Sequence, residues 1–158
     1  MVNQLESNLK VVVATSRDLS VLKRHGFLLD REVHGIERSL DDVHEGTRRQ
    51  LERPFWEVEY HIARINDEVY GSVMLQTEFE PAGLCHNGWI RTLYVDGDVR
   101  SRGTGTALME SVERRARGGG VRALKLVRSD ANVYAAQLDR FYSRLGYKKH
   151  GIVYKKTM

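Results

Sequence analysis

The stretch from Trp89 to Arg117 constrains the fold more than any other part of the chain. Trp89 to Val95 is β-branched, aromatic and apolar, which predicts a strand. Asp96, Gly97 and Asp98 carry turn chemistry. Arg100 to Gly105 reads R-S-R-G-T-G, a basic loop containing glycine. From Thr106 onward the pattern is helical, with Leu108, Val112 and Ala116 recurring every fourth residue on one face. Glu110–Arg114 and Glu113–Arg117 stand four apart in the favoured orientation and support that helix.

A strand, a glycine loop and a helix in that order make an anion site. The first backbone N–H groups of a helix have no intrahelical partner and point outward. Gly103 and Gly105 carry no Cβ, so an anion such as a phosphate can approach the backbone closely. Arg100 and Arg102 add charge. The competing reading of R-x-x-G-x-G is an ordinary basic loop capping a helix. Two other phosphate motifs are excluded. No Gly-Lys pair occurs for a Walker loop, and Leu108 stands where a dinucleotide fingerprint needs its third glycine.

Leu93 to Leu108, L-Y-V-D-G-D-V-R-S-R-G-T-G-T-A-L, resembles the coenzyme A pyrophosphate loop of the GNAT superfamily of N-acetyltransferases. Phe141 to Tyr147, F-Y-S-R-L-G-Y, resembles the closing F-Y-x-x-x-G-[FY] signature of that family. Both fall in the family's order with a strand between them. The resemblance runs from Trp56 to the C-terminus, and the first third matches only the general plan.

The chain has 158 residues, 41% of them hydrophobic, which suits one domain around one core; with the resemblance, this implies a single GNAT-like domain over residues 1–158. No apolar run is long enough to span a membrane, and Met1 to Lys10 does not read as a signal peptide. The one cysteine, Cys85, excludes an internal disulfide and suits a reducing cytoplasm. A net charge of +4 suits an anionic cofactor as well as it suits nucleic acid. The basic residues are spread along the chain, so a nucleic-acid partner is not expected.

In chain order, Leu9 to Ala14 predicts a strand, and Thr15 to Asp18 caps a helix that reaches Leu29. Ser39 opens a second, polar helix that Pro54 ends. Phe55 to Ile65 and Val69 to Phe79 form a hairpin, with the Glu57, Glu59 and His61 face expected to be wet. Glu80 to Gly88 is a loop. After the organising strand and helix come a strand over Val121 to Arg128, a helix over Ala131 to Leu145 and a last strand over Tyr147 to Lys156. The order β-α-α-β-β-β-α-β-α-β defines a mixed α/β (α+β) domain with a mainly antiparallel central sheet and flanking helices. It agrees with the GNAT plan.

The resemblance implies acetyl-coenzyme A as cofactor and an amine as acceptor, with a homodimer left open. In the family the fourth and fifth strands splay apart and the pantetheine arm lies between them. Leu93, Tyr94 and Val95 would then face the thioester and pantetheine. Backbone N–H groups among Arg102, Gly103, Thr104, Gly105, Thr106 and Ala107 would hold the pyrophosphate, with Arg100 nearby. The Leu93 N–H would stabilise the developing oxyanion, and Tyr142, at the family's tyrosine position, would contact the cofactor and protonate the leaving sulfur. The bland alternative for Tyr142 is a core aromatic. The family's pantetheine-binding asparagine falls on Ala135 here. Asn132, three residues earlier, is the nearest candidate and equally suits a helix cap.

Related enzymes often place an acidic pair in the fourth strand, where this chain has Arg91-Thr92-Leu93. The remaining candidates for a base are Glu78, Glu80, His86, Glu57, Glu59 and His61. No histidine or cysteine spacing suggests a metal site. Strand alternation would put Trp89, Arg91 and Leu93 on one face, with Ile90, Thr92 and Tyr94 on the other. An Arg91 in the acceptor cleft would favour an amine with a carboxylate or phosphate, whereas an Arg91 paired to a glutamate would be structural. A different class of function also fits, an acyl-coenzyme A-binding sensor or interaction domain with little turnover.

Overall fold

The computed structural model describes residues 8–34, 56–80, 85–128 and 132–151. The chain divides into two compact units, residues 1–127 and 128–158. In the first, five strands form one sheet in the order β1 to β5. They are β1 (Leu9–Val13), β2 (Trp56–Ile65), β3 (Glu68–Glu80), β4 (Cys85–Val95) and β5 (Val121–Leu126). The first four pair antiparallel and β5 joins β4 in parallel. Helix α1 (Leu19–Leu29) follows a short turn capped by Thr15, and helix α2 (Thr104–Gly118) precedes β5.

The hairpin of β2 and β3 turns on Asn66 and Asp67, both at positive φ (51° and 67°). That is the backbone twist a two-residue hairpin needs, and Asn and Asp tolerate it best after glycine. The two helices take opposite faces of the sheet. On one face Leu22 of α1 packs on Tyr60, Ile62 and Met74. On the other, α2 buries the predicted stripe of Leu108, Val112 and Ala116, with Met109 beside it. Gly71 of β3 sits beneath α2, where a Cβ would come within 2.9 Å of the Tyr94 carbonyl and 3.1 Å of Leu108 Cδ1. Helix and strand approach that closely only over a glycine.

The face of β2 expected to be wet is exposed at Glu57 but dry from His61 onward. His61 is 3% exposed and Ala63 is buried, because α2 lies across them. Alternating polar residues there bond to the helix rather than to water. Residues 80–88, expected as a loop, instead extend β3 to Glu80 and start β4 at Cys85, with Phe79 opposite His86 in register. The second unit holds α3 (Ala135–Arg144), with Arg128 paired to Asp139 at 2.7 Å. Residues 147–151 form no strand, and Gly151 has a φ of 75°. The rest of the expected last strand, and the helix from Ser39, lie outside the described residues.

Candidate active site

Strand β4 builds the site through two irregularities. Val73 of β3 pairs with Leu93 and Leu75 pairs with Ile90, so Arg91 and Thr92 together oppose Met74. This is a β-bulge, and an extra residue reverses the alternation of every side chain beyond it. Trp89 therefore shares a face with Tyr94, and Leu93 shares one with Ile90. The simple alternation expected over Trp89 to Tyr94 is corrected by that one residue. The second irregularity is on the other side. Pairing to β5 runs only from His86 to Ile90, while pairing to β3 continues to Val95. Among the described residues, β4 from Arg91 to Val95 has a strand on one side only.

The strand runs into a short 3-10 turn at Gly97–Val99 and then the glycine loop. Ser101 (φ 63°) and Gly103 (φ 84°) are both left-handed. Gly103 is the N-cap of α2, and it has no side chain with which to cap the helix. The Ala107 N–H is bonded to the Gly103 carbonyl at 2.9 Å, the first closed turn of the helix. The N–H groups before it therefore have no intrahelical acceptor. Nothing lies within 4 Å of where a Gly103 Cβ would stand. An open, uncapped, glycine-led helix start fits a diphosphate.

Arg100 and Arg102 play different parts. Arg102 is exposed. Arg100 turns back onto the protein: its Nε donates to the Val95 carbonyl at 2.8 Å, its Nη2 meets Glu32 at 3.0 Å, and its guanidinium lies 5.8 Å from the centre of the Tyr94 ring. On the ring's other contact stands His25 of α1, 4.8 Å away between centroids. Burial, with help from Asp96, pushes the Tyr94 phenol up to about 12. His25 is 1% exposed; its Nδ1 lies 2.8 Å from Ser72 Oγ and its Nε2 has no partner among the described residues. Burial pushes its pKa down to about 4, against the pull of Asp96. Neither His25 nor Glu32 stands out in the sequence. The one signal for His25 is its place three residues after Leu22, on the apolar face of α1.

The candidate bases separate. Glu59 and His61 belong to the face under α2: His61 Nε2 lies 2.8 Å from Glu59, which also accepts from Arg115 Nε at 3.1 Å. Glu57 is exposed on β2. Glu78 sits on the α1 side of the sheet and accepts from Trp89 Nε1 at 3.0 Å and from Gln76 Nε2 at 3.2 Å. The side chains of Glu80 and His86 fall outside the described residues. Arg91 joins the Glu78 group, with its Nε donating to Gln76 Oε1 at 3.0 Å and its Nη2 3.9 Å from Glu78.

In the second unit, Asn132 works as a turn residue. Its amide oxygen accepts from the Tyr134 N–H at 2.8 Å and its carbonyl from the Ala135 N–H at 3.0 Å, ahead of α3. Tyr142 lies on α3 between Phe141 and Tyr147, with ring centroids 5.3 and 6.1 Å away. Burial raises its phenol to about 12, so it keeps its proton at neutral pH. The turn after α3 closes where Tyr147 N–H donates to the Tyr142 carbonyl at 3.0 Å.

Among the described residues, β4 beyond Ile90 thus has a strand on one side only and leads into a glycine-led helix start, an arrangement suited to an anion. The acetyltransferase (GNAT) family profile matches residues 30–147, and the chain belongs to that family. No curated protein matches it closely enough to count as a relative. Solved structures share the fold at low identity. A possible acetyltransferase from Clostridium difficile 630 is 20% identical with a TM-score of 0.80, covering 95% of this chain and 97% of its own. An aminoglycoside acetyltransferase from an uncultured soil metagenomic sample, in complex with sisomicin, is 14% identical with a TM-score of 0.74, covering 98% and 99%. A Trypanosoma brucei acetyltransferase is 20% identical with a TM-score of 0.71, covering 95% and 99%. No helix among the described residues is long and apolar enough to cross a membrane.

Proposed function

We propose that the protein is an acetyl-coenzyme A-dependent N-acetyltransferase that acts on a primary amine by direct attack in a ternary complex. One observation carries this reading: β4 keeps β3 as far as Val95 but loses β5 after Ile90, and then feeds an uncapped helix led by a left-handed glycine. The backbone from Arg102 to Ala107 would hold the pyrophosphate, with Arg102 adding charge. Arg100 would instead fix the loop against Val95 and Glu32. Bound acetyl-coenzyme A would supply the activated thioester.

The Leu93 N–H would stabilise charge on the carbonyl oxygen as the amine attacks, a role that backbone donors fill without reorganising. Tyr142 would hydrogen-bond the departing sulfur and donate its proton to it, a role its position in the F-Y-S-R-L-G-Y motif supports. Tyr94 and Val95 would line the pantetheine path. Asn132 is no longer preferred for it, since its amide oxygen already serves the turn. Glu78 is the one candidate base that is both described and on the α1 side of the bulge. One domain spanning both units and a cytoplasmic location belong to the same proposal. The test is release of free thiol from acetyl-coenzyme A with pooled primary amines. Amine-dependent release supports the reading. Tight acetyl-coenzyme A binding with no release for any amine would favour a sensor domain instead.

A further inference from the structure

Gln76, Trp89 and Lys125 stand opposite one another across β3, β4 and β5. They lie on the α1 side of the sheet, immediately before β4 parts from β5. The Arg91 guanidinium is 4.7 Å from the centre of the Trp89 ring and the Lys125 ammonium is 5.4 Å from it. Two cations thus share one indole. Glu78 is the one carboxylate among these side chains, and Trp89 and Gln76 already donate to both of its oxygens. Its ion pair with Arg91, at 3.9 Å, is long. Among the described side chains, Arg91 and Lys125 against Glu78 leave the group with a surplus positive charge.

This arrangement discriminates between amines. An ammonium group is drawn to an indole face by its quadrupole, but here cations already use that ring. A polycationic acceptor would meet like charge beside Trp89. An anionic group would meet an arginine whose hydrogen bond among the described residues runs from Nε to Gln76, whose Nη2 stands 3.9 Å from Glu78, and whose side chain is 38% exposed. Guanidinium presents five N–H donors in a fixed fork, which leaves an edge to grip two oxygens. Alternation from Trp89 puts Arg91 on this face, and the bulge after it sends Leu93 to the other.

We infer that the acceptor is an amine that also carries a negatively charged group, held by Arg91 with Lys125 beside it. This rests on the transferase reading for the amine, and on the Arg91 geometry alone for the charge. The experiment separates the two. Binding of γ-aminobutyrate and δ-aminovalerate, of their amides, and of the diamines of equal length is followed by tryptophan fluorescence, with thiol release measured in parallel. The expected result is about tenfold tighter binding of the amino acids than of their amides, a typical gain for a charge-assisted contact. The diamines should bind most weakly. Arg91→Gln should remove most of the preference and the exposed Lys125→Gln part of it, which keeps the test open if Arg91→Gln misfolds. Preferred binding of the amino acids without thiol release would uphold the subsite and defeat the transferase reading. Equal binding, no binding, or a preference for the diamines would overturn the inference, whatever the thiol assay reads.

Discussion

His61 Nδ1 lies 2.7 Å from Ser111 Oγ, which joins the middle of β2 to the middle of α2. Glu59 holds the other ring nitrogen and Arg115 in turn holds Glu59. Because Ser111 and Arg115 are four apart on α2, and Glu59 and His61 two apart on β2, the four side chains meet in one line between helix and sheet. Ser111→Ala should cost about 1–2 kcal/mol by leaving a buried ring nitrogen unpaired. His61→Ala should cost about 2–4 kcal/mol, since a buried ring is lost as well. The double variant should be no worse than His61→Ala. Urea unfolding measures all three, and simple additivity would show that the contact carries no energy.

His25 predicts a pH dependence of stability. Its native pKa of about 4 lies below the 6.5 of the unfolded chain. Between those values the unfolded state binds a proton that the native state does not. The contribution is whole above about pH 6.5 and is lost as the pH falls toward 4, on the order of 3 kcal/mol in full. His25→Gln should flatten this part of the profile. An unchanged slope in that variant would assign the acid sensitivity to other groups.

Gly103 makes the cofactor loop testable. With a φ of 84° it is strained as any other residue, so Gly103→Ala should lower stability by about 1 kcal/mol. Acetyl-coenzyme A at about 100 times its Kd should stabilise the wild type by roughly 2.7 kcal/mol. Gly103→Glu should remove that shift by placing a carboxylate where the phosphates sit. A folded Gly103→Glu protein with a normal thermal shift would mean the loop holds something else.

Tyr142→Phe should lower kcat with little change in acetyl-coenzyme A affinity. A proton given to the departing sulfur matters mainly in the transition state. Such a donor contributes about 10²- to 10⁴-fold. Unaltered kcat would return Tyr142 to the role of a packing residue beside Phe141.

The strand, loop and first turn of α2 are legible in the chain because their signals are local. Gly103 needs no distant partner to adopt positive φ, and Leu108, Val112 and Ala116 mark the buried stripe by spacing alone. What is not legible depends on pairing. The bulge at Arg91 and Thr92 exists only relative to Met74, so alternation within β4 put Leu93 on the wrong side of Trp89. The same holds for His61, whose dry environment comes from α2, fifty residues on. Arg100 has the charge of a phosphate ligand, yet its partners Val95, Tyr94 and Glu32 come from three segments. Side-chain chemistry names candidates, and cross-strand register decides which of them meet.

The two-residue turn at Asn66 and Asp67 has a consequence for how the molecule assembles. Its left-handed residues favour the β2–β3 register locally, and hairpins close in about 1–10 μs. Adding β4 to that hairpin is a short step along the chain. The parallel β5, by contrast, must wait for α2 to fold and cross over, so its loop closes late. Contact locality thus favours β2 to β4 as an early nucleus, and the side of β4 proposed to receive the thioester borders the strand that this order places later.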